Sequence, residues 1–169
     1  MLRSLVGSEM CIRDRLTIET GYDALLFIGY HAKAGTPDGV MCHTMARAVD
    51  EFTLNGLSLP EMGYNALVAG MYNVPVVYLS GDQAACRQAK ELFGGIVTTA
   101  VKKGLSRCSA ICLHPQEACD RIRTDVEKAL KNGERCVYRM EGPYTMYCSI
   151  RRNYDAPNIE KTLQTASLE

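Results

Sequence analysis

The chain has 169 residues, 47% of them apolar and 22% charged, which suits one globular domain with a real core and excludes a disordered or fibrous polymer. Nineteen basic residues balance nineteen acidic ones for a formal charge of zero, so nothing steers the protein towards nucleic acid or an anionic membrane surface, and a small neutral substrate fits better. No apolar run approaches the ~20 residues of a membrane helix and no export signal stands out, which makes the cytoplasm the default location.

Residues Met1–Arg15 carry only scattered apolar positions, and Gly7–Arg15 reads as a translated adapter tail; 1–15 is therefore set aside as a non-native segment. Ala24–Ile28 is an apolar run that stops at Gly29, the pattern of a buried strand in a parallel sheet. Ligands in such sheets sit beyond the carboxyl ends of the strands, where His31 falls. Gly35, Pro37 and Gly39 lie between His31 and His43 and suit a folded loop rather than a helix or strand.

Ala48–Leu54 alternates imperfectly and meets Asn55-Gly56, a strong hairpin signal, with Leu57–Leu59 returning. Glu61 follows Pro60 and opens a helix to Tyr72, marked by Met62, Leu67, Val68 and Met71. A carboxylate in that first turn is favoured by the helix dipole and can point at a cation off the helix end. His31, His43 and Glu61 thus form a candidate hydrolytic metal site, because imidazole and carboxylate are the ligands of a zinc with an open position. Asn65 lies one turn after Glu61 and can reach a ligand or the neighbouring loop, the loop being preferred.

Val74–Ser80 is the cleanest buried strand, and Asp82 caps the helix Gln83–Phe93 that follows. Gly94-Gly95 ends that helix, and Ile96–Val101 is a third strand closing at Lys102-Lys103-Gly104, with Lys102 expected in solvent. The chain has eight cysteines but no C-x-x-C pair; reduced, core-packed thiols are expected, Cys108 and Cys112 included. Pro115 opens a helix over Gln116–Lys131 that ends at Asn132-Gly133, and His114 before it packs or caps. Arg135–Met140 and Pro143–Ile150 read as two strands about Glu141-Gly142, the second with one wet face, and the polar segment 151–169 holds a helical patch at Ile159–Leu163. The expected architecture is α/β: a mostly parallel sheet flanked by helices, with a small antiparallel hairpin excursion and C-terminal strands.

Four stretches together, Gly29–Thr44 (G-Y-H-x-x-x-G-T…H-T), Asn55-Gly56…Glu61…Asn65-Ala66, Val76–Asp82 and Leu113-His114-Pro115, carry a resemblance to the zinc-dependent D-aminopeptidases of the dipeptide-permease-operon type. The resemblance covers residues 16–150 and implies a two-zinc site in which His31 and Glu61 bind one zinc and His43 acts on substrate as base or nucleophile. It also implies cleavage after an N-terminal D-amino acid in short peptides such as D-alanyl dipeptides, and homo-oligomeric rings that enclose the sites. Asp82 would lie near the active cleft, and Lys102 is a possible binder of a dipeptide carboxylate. The family's Asp-x-Glu and Asp-Ser-His, which supply the remaining ligands, are not found ahead of Gly29. The expectation is an incomplete domain, short at the N-terminus and cut at the C-terminus, holding half of a two-metal site with weak affinity. Two other readings stand beside it. One is a non-catalytic α/β fragment or assembly subunit without its own metal. The other is an enzyme of phosphorylated small molecules, disfavoured because neither G-x-G-x-x-G nor G-x-x-x-x-G-K occurs in the loop.

Overall fold

The computed structural model describes residues 21–150 and the backbone of 159–165; the 1–15 segment lies outside the described residues. Its centre is β4 (Val76–Asp82), which is buried at every position, as a near-continuous apolar run requires when both faces of a strand are covered. On one side β4 pairs in parallel with β1 (Leu25–Tyr30), and on the other with β5 (Val97–Ser106). β6 (Ser109–Cys112) adds an antiparallel edge to give the order β1-β4-β5-β6. A second, antiparallel sheet has the order β3-β2-β7-β8, with β2 at Val49–Leu54, β3 at Leu57–Ser58, β7 at Tyr144–Ile150 and β8 at Ile159–Thr165.

Helices α1 (Glu61–Met71) and α2 (Gln83–Phe93) cover one face of the parallel sheet. Their shared core joins Met62, Ala66, Ala85, Cys86, Ala89 and Phe93 to Phe27, Val76, Leu79 and Ile96. Helix α3 (Pro115–Asn132) covers the other face through Ile122, Val126 and Ala129 against Val77 and Tyr78. There the buried Tyr78 hydroxyl donates to Thr99 Oγ1 at 2.6 Å, and Thr99 donates to Asp125 Oδ2 at 2.7 Å, tying α3 to the sheet. The second sheet packs on α1 through Leu54, Leu59 and Leu67, with Tyr144 and Met146 against them.

The expected α/β architecture is present, with differences in detail. β1 is the edge of its sheet among the described residues, so it is not buried throughout, and Ile28 is 53% exposed. The buried face of α1 is Met62, Gly63, Ala66, Leu67, Ala69 and Gly70, whereas Met71 is half exposed and Val68 partly so. Small residues make that face because the chain crosses it closely: a Cβ on Gly70 would collide with the Tyr138 carbonyl oxygen.

β5 does not stop at Lys102-Lys103-Gly104 but runs on to Ser106, because β6 supplies ladder partners for those residues. Residues 135–140 form no strand; Cys136 makes one bridge to Val76, and beyond it β5 already occupies that side of β4 from Tyr78 onward. The patch at Ile159–Leu163 is not helical: it lies in β8, whose seven residues all pair with β7, so tertiary pairing overrides local preference. Along β7 the alternation holds for Tyr144 and Met146 and reverses at its end, where Ser149 is buried and Ile150 exposed. Of the seven described cysteines, all free, only Cys42 and Cys86 are buried, and Cys136 packs half-buried against the core. Cys108, Cys112 and Cys119 are exposed, on the β5–β6 hairpin and the outer side of α3.

Candidate metal centre

The site begins with a glycine. Gly29 adopts φ 74° and breaks the β1–β4 register between Phe27 and Tyr30, while its N–H donates to Ser80 Oγ at 3.2 Å. A residue with a Cβ avoids that conformation, so glycine here lets the chain turn out of the sheet and deliver His31 beyond the strand end. Two further left-handed residues, Met41 (φ 52°) and Met45 (φ 60°), bracket His43 and fold the loop back over Glu61. Such conformations are costly for side chains of this size and persist only where the surroundings impose them.

The surroundings do so through several hydrogen bonds. Gln88 of α2 accepts from Lys33 N through Oε1 and donates to Thr36 Oγ1 through Nε2, each at 3.0 Å. Thr44, 2% exposed, accepts from Ala34 N at 3.0 Å. Met41 N donates to the Arg107 carbonyl at 2.8 Å, and Asp38 pairs with Arg87 at 2.9 Å. Cys42 and Ala32 pack on Ala84 at the start of α2.

The result is a convergence of three donors. His31 Nε2 lies 3.7 Å and His43 Nε2 3.6 Å from the same oxygen, Glu61 Oε1. The two imidazoles stack with centroids 3.8 Å apart at 19°, and one ligand atom from each of the three residues falls within 4.8 Å of the others. The tautomers follow from the partners. His31 Nδ1 faces the Ala32 carbonyl at 3.0 Å and His43 Nδ1 faces the Met41 carbonyl at 2.8 Å. A carbonyl oxygen only accepts, so each Nδ1 carries a hydrogen and each ring turns its Nε2 towards Glu61. Ligating histidines are typically oriented this way, with the far ring N–H held by a carbonyl or carboxylate. Glu61 is held too, its Oε1 accepting from Met45 N at 2.7 Å. Two imidazole lone pairs and a carboxylate fit a zinc ion that keeps an open position.

His31, His43 and Glu61 are therefore brought together as expected, and with three donors rather than the two of the expected half-site. Asn65 is not on the loop; its Nδ2 donates to the Tyr30 hydroxyl at 2.8 Å, and its Oδ1 is buried without a partner among the described residues. Asp82 caps α2 by accepting from Ala85 N at 2.7 Å, and its second oxygen accepts from Val40 N at 2.9 Å. His114 caps α3, accepting from Gln116 N at 3.3 Å. Lys102 stands beside Asp82 in the β4–β5 register. Gln88, a glutamine inside a helix, carries no spacing signal that marks it as a loop clamp, and Thr44, although it stands in the H-T of the loop motif, carries none for the clamping bond it makes.

A parallel α/β sheet whose strand-end loop and next helix converge on a His-His-Glu cluster offers a set of side chains that can hold a divalent metal ion. The chain belongs to the D-aminopeptidase family of peptidases, whose family model matches residues 7–167. It is 40% identical over 118 residues to the D-aminopeptidase of Bacillus subtilis (strain 168), an alignment covering 70% of this chain and 43% of that protein. Its fold is similar to that of the Zn-dependent D-aminopeptidase DppA from Bacillus subtilis, a self-compartmentalizing protease. That match has a TM-score of 0.74 at 28% identity and covers 88% of this chain and 59% of the other. The chain thus spans roughly half the length of the relatives it matches.

Proposed function

We propose that this chain carries a zinc-binding portion of an aminopeptidase that removes N-terminal D-amino acids from short peptides, D-alanyl dipeptides among them. The observation that carries the reading is the pair of Nε2 atoms converging on one Glu61 oxygen, each ring held from behind by a carbonyl. His31 and Glu61 hold the metal. Zinc held there would lower the pKa of a coordinated water far below that of bulk water, to about 7, and would polarise a peptide carbonyl. His43 is the proton carrier: its Nε2 faces the same space as the ligands, its Nδ1–H stays on Met41 O, and it can take a proton from the attacking water and return it to the leaving amine.

The 4.8 Å limit that encloses all three donors also favours a second reading, in which His43 is a third ligand. Zinc affinity separates the two. A proton carrier changed in His43→Gln leaves zinc binding within a few-fold, whereas a lost ligand weakens it as much as His31→Gln does.

The deciding experiment is hydrolysis of D-alanyl-D-alanine by the purified chain with and without added zinc. Turnover that needs zinc and disappears in His43→Ala supports the peptidase, and undiminished turnover in that variant refutes the role of His43. Zinc bound without turnover makes the chain a non-catalytic, metal-holding subunit. The free state of all seven described cysteines supports a reducing, cytoplasmic setting. Among the described residues no helix is long and apolar enough to cross a membrane. Self-assembly into a homo-oligomer is proposed on the strength of the relative described as self-compartmentalizing.

A further inference from the structure

The structure assigns Asp82 a second task beyond capping α2: it is a positioning residue that holds His43 in the metal centre through the backbone of Val40 and Met41. The inference rests on the metal-centre reading for its purpose, but its geometry can be tested without metal. An N-cap needs one oxygen, and serine, threonine or asparagine supplies it as well as aspartate does. Asp82 uses both of its oxygens. Oδ1 takes Ala85 N–H, and Oδ2 takes Val40 N–H from the middle of the His31–His43 loop.

The side chain is 2% exposed, so neither bond competes with bulk water, and hydrogen bonds to an ionised carboxylate are roughly twice as strong as neutral ones. One residue on, Met41 is pinned from the other direction by its N–H on the Arg107 carbonyl, and its own carbonyl receives His43 Nδ1. Behind this segment there is no slack. A Cβ on Gly104 would collide with the Asp38 carbonyl oxygen and meet Val40 Cγ2 at 3.2 Å. The segment 38–41 is thus clamped between a buried carboxylate and the backbone of the β5–β6 hairpin. The orientation of the Met41 carbonyl, and through it the tautomer and ring angle of His43, follows from that clamp. Asp82 touches neither metal nor substrate in this account and acts only through the loop.

Two variants separate the tasks. Asp82→Asn keeps the cap oxygen and the volume but turns an amide N–H₂ towards Val40 N–H, and Asp82→Ser keeps a cap and cannot reach Val40. In metal-free protein, nitrogen-15 NMR of the histidine rings is expected to show hydrogen-bonded Nδ1–H signals for His31 and His43 in the native chain. In both variants the His43 signal alone is lost or exchange-broadened. Zinc titration against a competing chelator is expected to show an affinity change no larger than that of His43→Gln, because Asp82 acts on the centre only through His43. An unchanged His43 signal in folded Asp82→Asn, or equal loss of the His31 and His43 signals, overturns the proposal, because it makes Asp82 a cap and nothing more. If the native chain binds no zinc, the metal-centre reading fails, and the ring signals still decide whether Asp82 holds His43.

Discussion

Replacing Glu61 with glutamine tests the centre at the atom on which it converges. The carboxamide oxygen can still accept from Met45 N, so the loop keeps its anchor while the charge facing His31 and His43 Nε2 is gone. Structural zinc sites bind with about 10–16 kcal/mol shared among four ligands, so one ligand is worth roughly 3 kcal/mol, on the order of a hundredfold in affinity. With free zinc at a hundred times the native dissociation constant, binding adds about 2.7 kcal/mol to the native chain. For a chain of 169 residues, where 1 kcal/mol moves the melting temperature by about 2–4 °C, that is a rise of about 5–10 °C. At the same zinc concentration Glu61→Gln sits near its own dissociation constant and gains about 0.4 kcal/mol, roughly 1 °C. Differential scanning calorimetry with a zinc series, reversed by chelator, measures both. An equal rise in the two proteins refutes the assignment and moves the zinc elsewhere, with the exposed thiols Cys108, Cys112 and Cys119 the first places to look.

Gly81→Ala forces a Cβ into the Tyr30 carbonyl oxygen at the end of β1, one residue before His31. A stability loss of about 1–3 kcal/mol or more in urea unfolding is expected, together with weaker zinc binding, whereas intact zinc affinity would show that His31 is placed by its loop and not by the strand. Thr99→Val removes the hydroxyl that serves both Tyr78 and Asp125; one stranded buried hydroxyl costs about 1–3 kcal/mol, the half-buried Asp125 carboxylate being open to water, and Tyr78→Phe in the same background should recover part of that loss. The Arg87 guanidinium holds the Asp38 carboxyl below its ordinary value of 3.8. A depressed folded-state pKa gives stability that is present above the unfolded pKa and lost as pH falls through the folded one. Asp38→Asn should therefore cost a few tenths of a kcal/mol at pH 7, as an exposed pair does, and nothing at pH 2; a difference that persists at pH 2 would mean a packing effect instead.

Much of the frame was legible because its signals are local. Asn55-Gly56 specified the β2–β3 hairpin, with both residues at positive φ (50° and 77°) as a tight hairpin turn demands. Pro60 marked the entry of α1, and Gly94 and Gly133 stand at the C-caps of α2 and α3. Two differences share one cause. Lys102-Lys103-Gly104 looks like strand punctuation, and Ile159–Leu163 looks weakly helical, because the partners that make strands of them lie in β6 and β7. The three donors were visible as residue types near a strand end and a helix start. Their grouping followed from that placement, but the loop conformation that closes them together did not, because it depends on Met41 and Met45 adopting left-handed conformations that no sequence pattern announces and that distant side chains on α2 and β4 enforce.

That enforcement bears on how metal and fold are linked. In a zinc finger the ligands sit on chain that is unfolded without metal, so binding energy is spent on ordering it. Here the ordering is done by protein groups: Gln88, Thr44, Asp82, Arg87 and the Arg107 carbonyl each hold the loop between His31 and Met45. Both imidazoles are held by a carbonyl at Nδ1 with Nε2 turned to the site. Fixing a loop residue costs about 1–2 kcal/mol of conformational entropy, and in this arrangement folding has met that cost before any metal arrives. Removing metal with a chelator is therefore expected to lower the melting temperature by the linkage amount while leaving far-ultraviolet circular dichroism and urea cooperativity unchanged. Loss of helical signal on chelation would mean that the metal organises the loop and that the α2 clamps are too weak to do it alone.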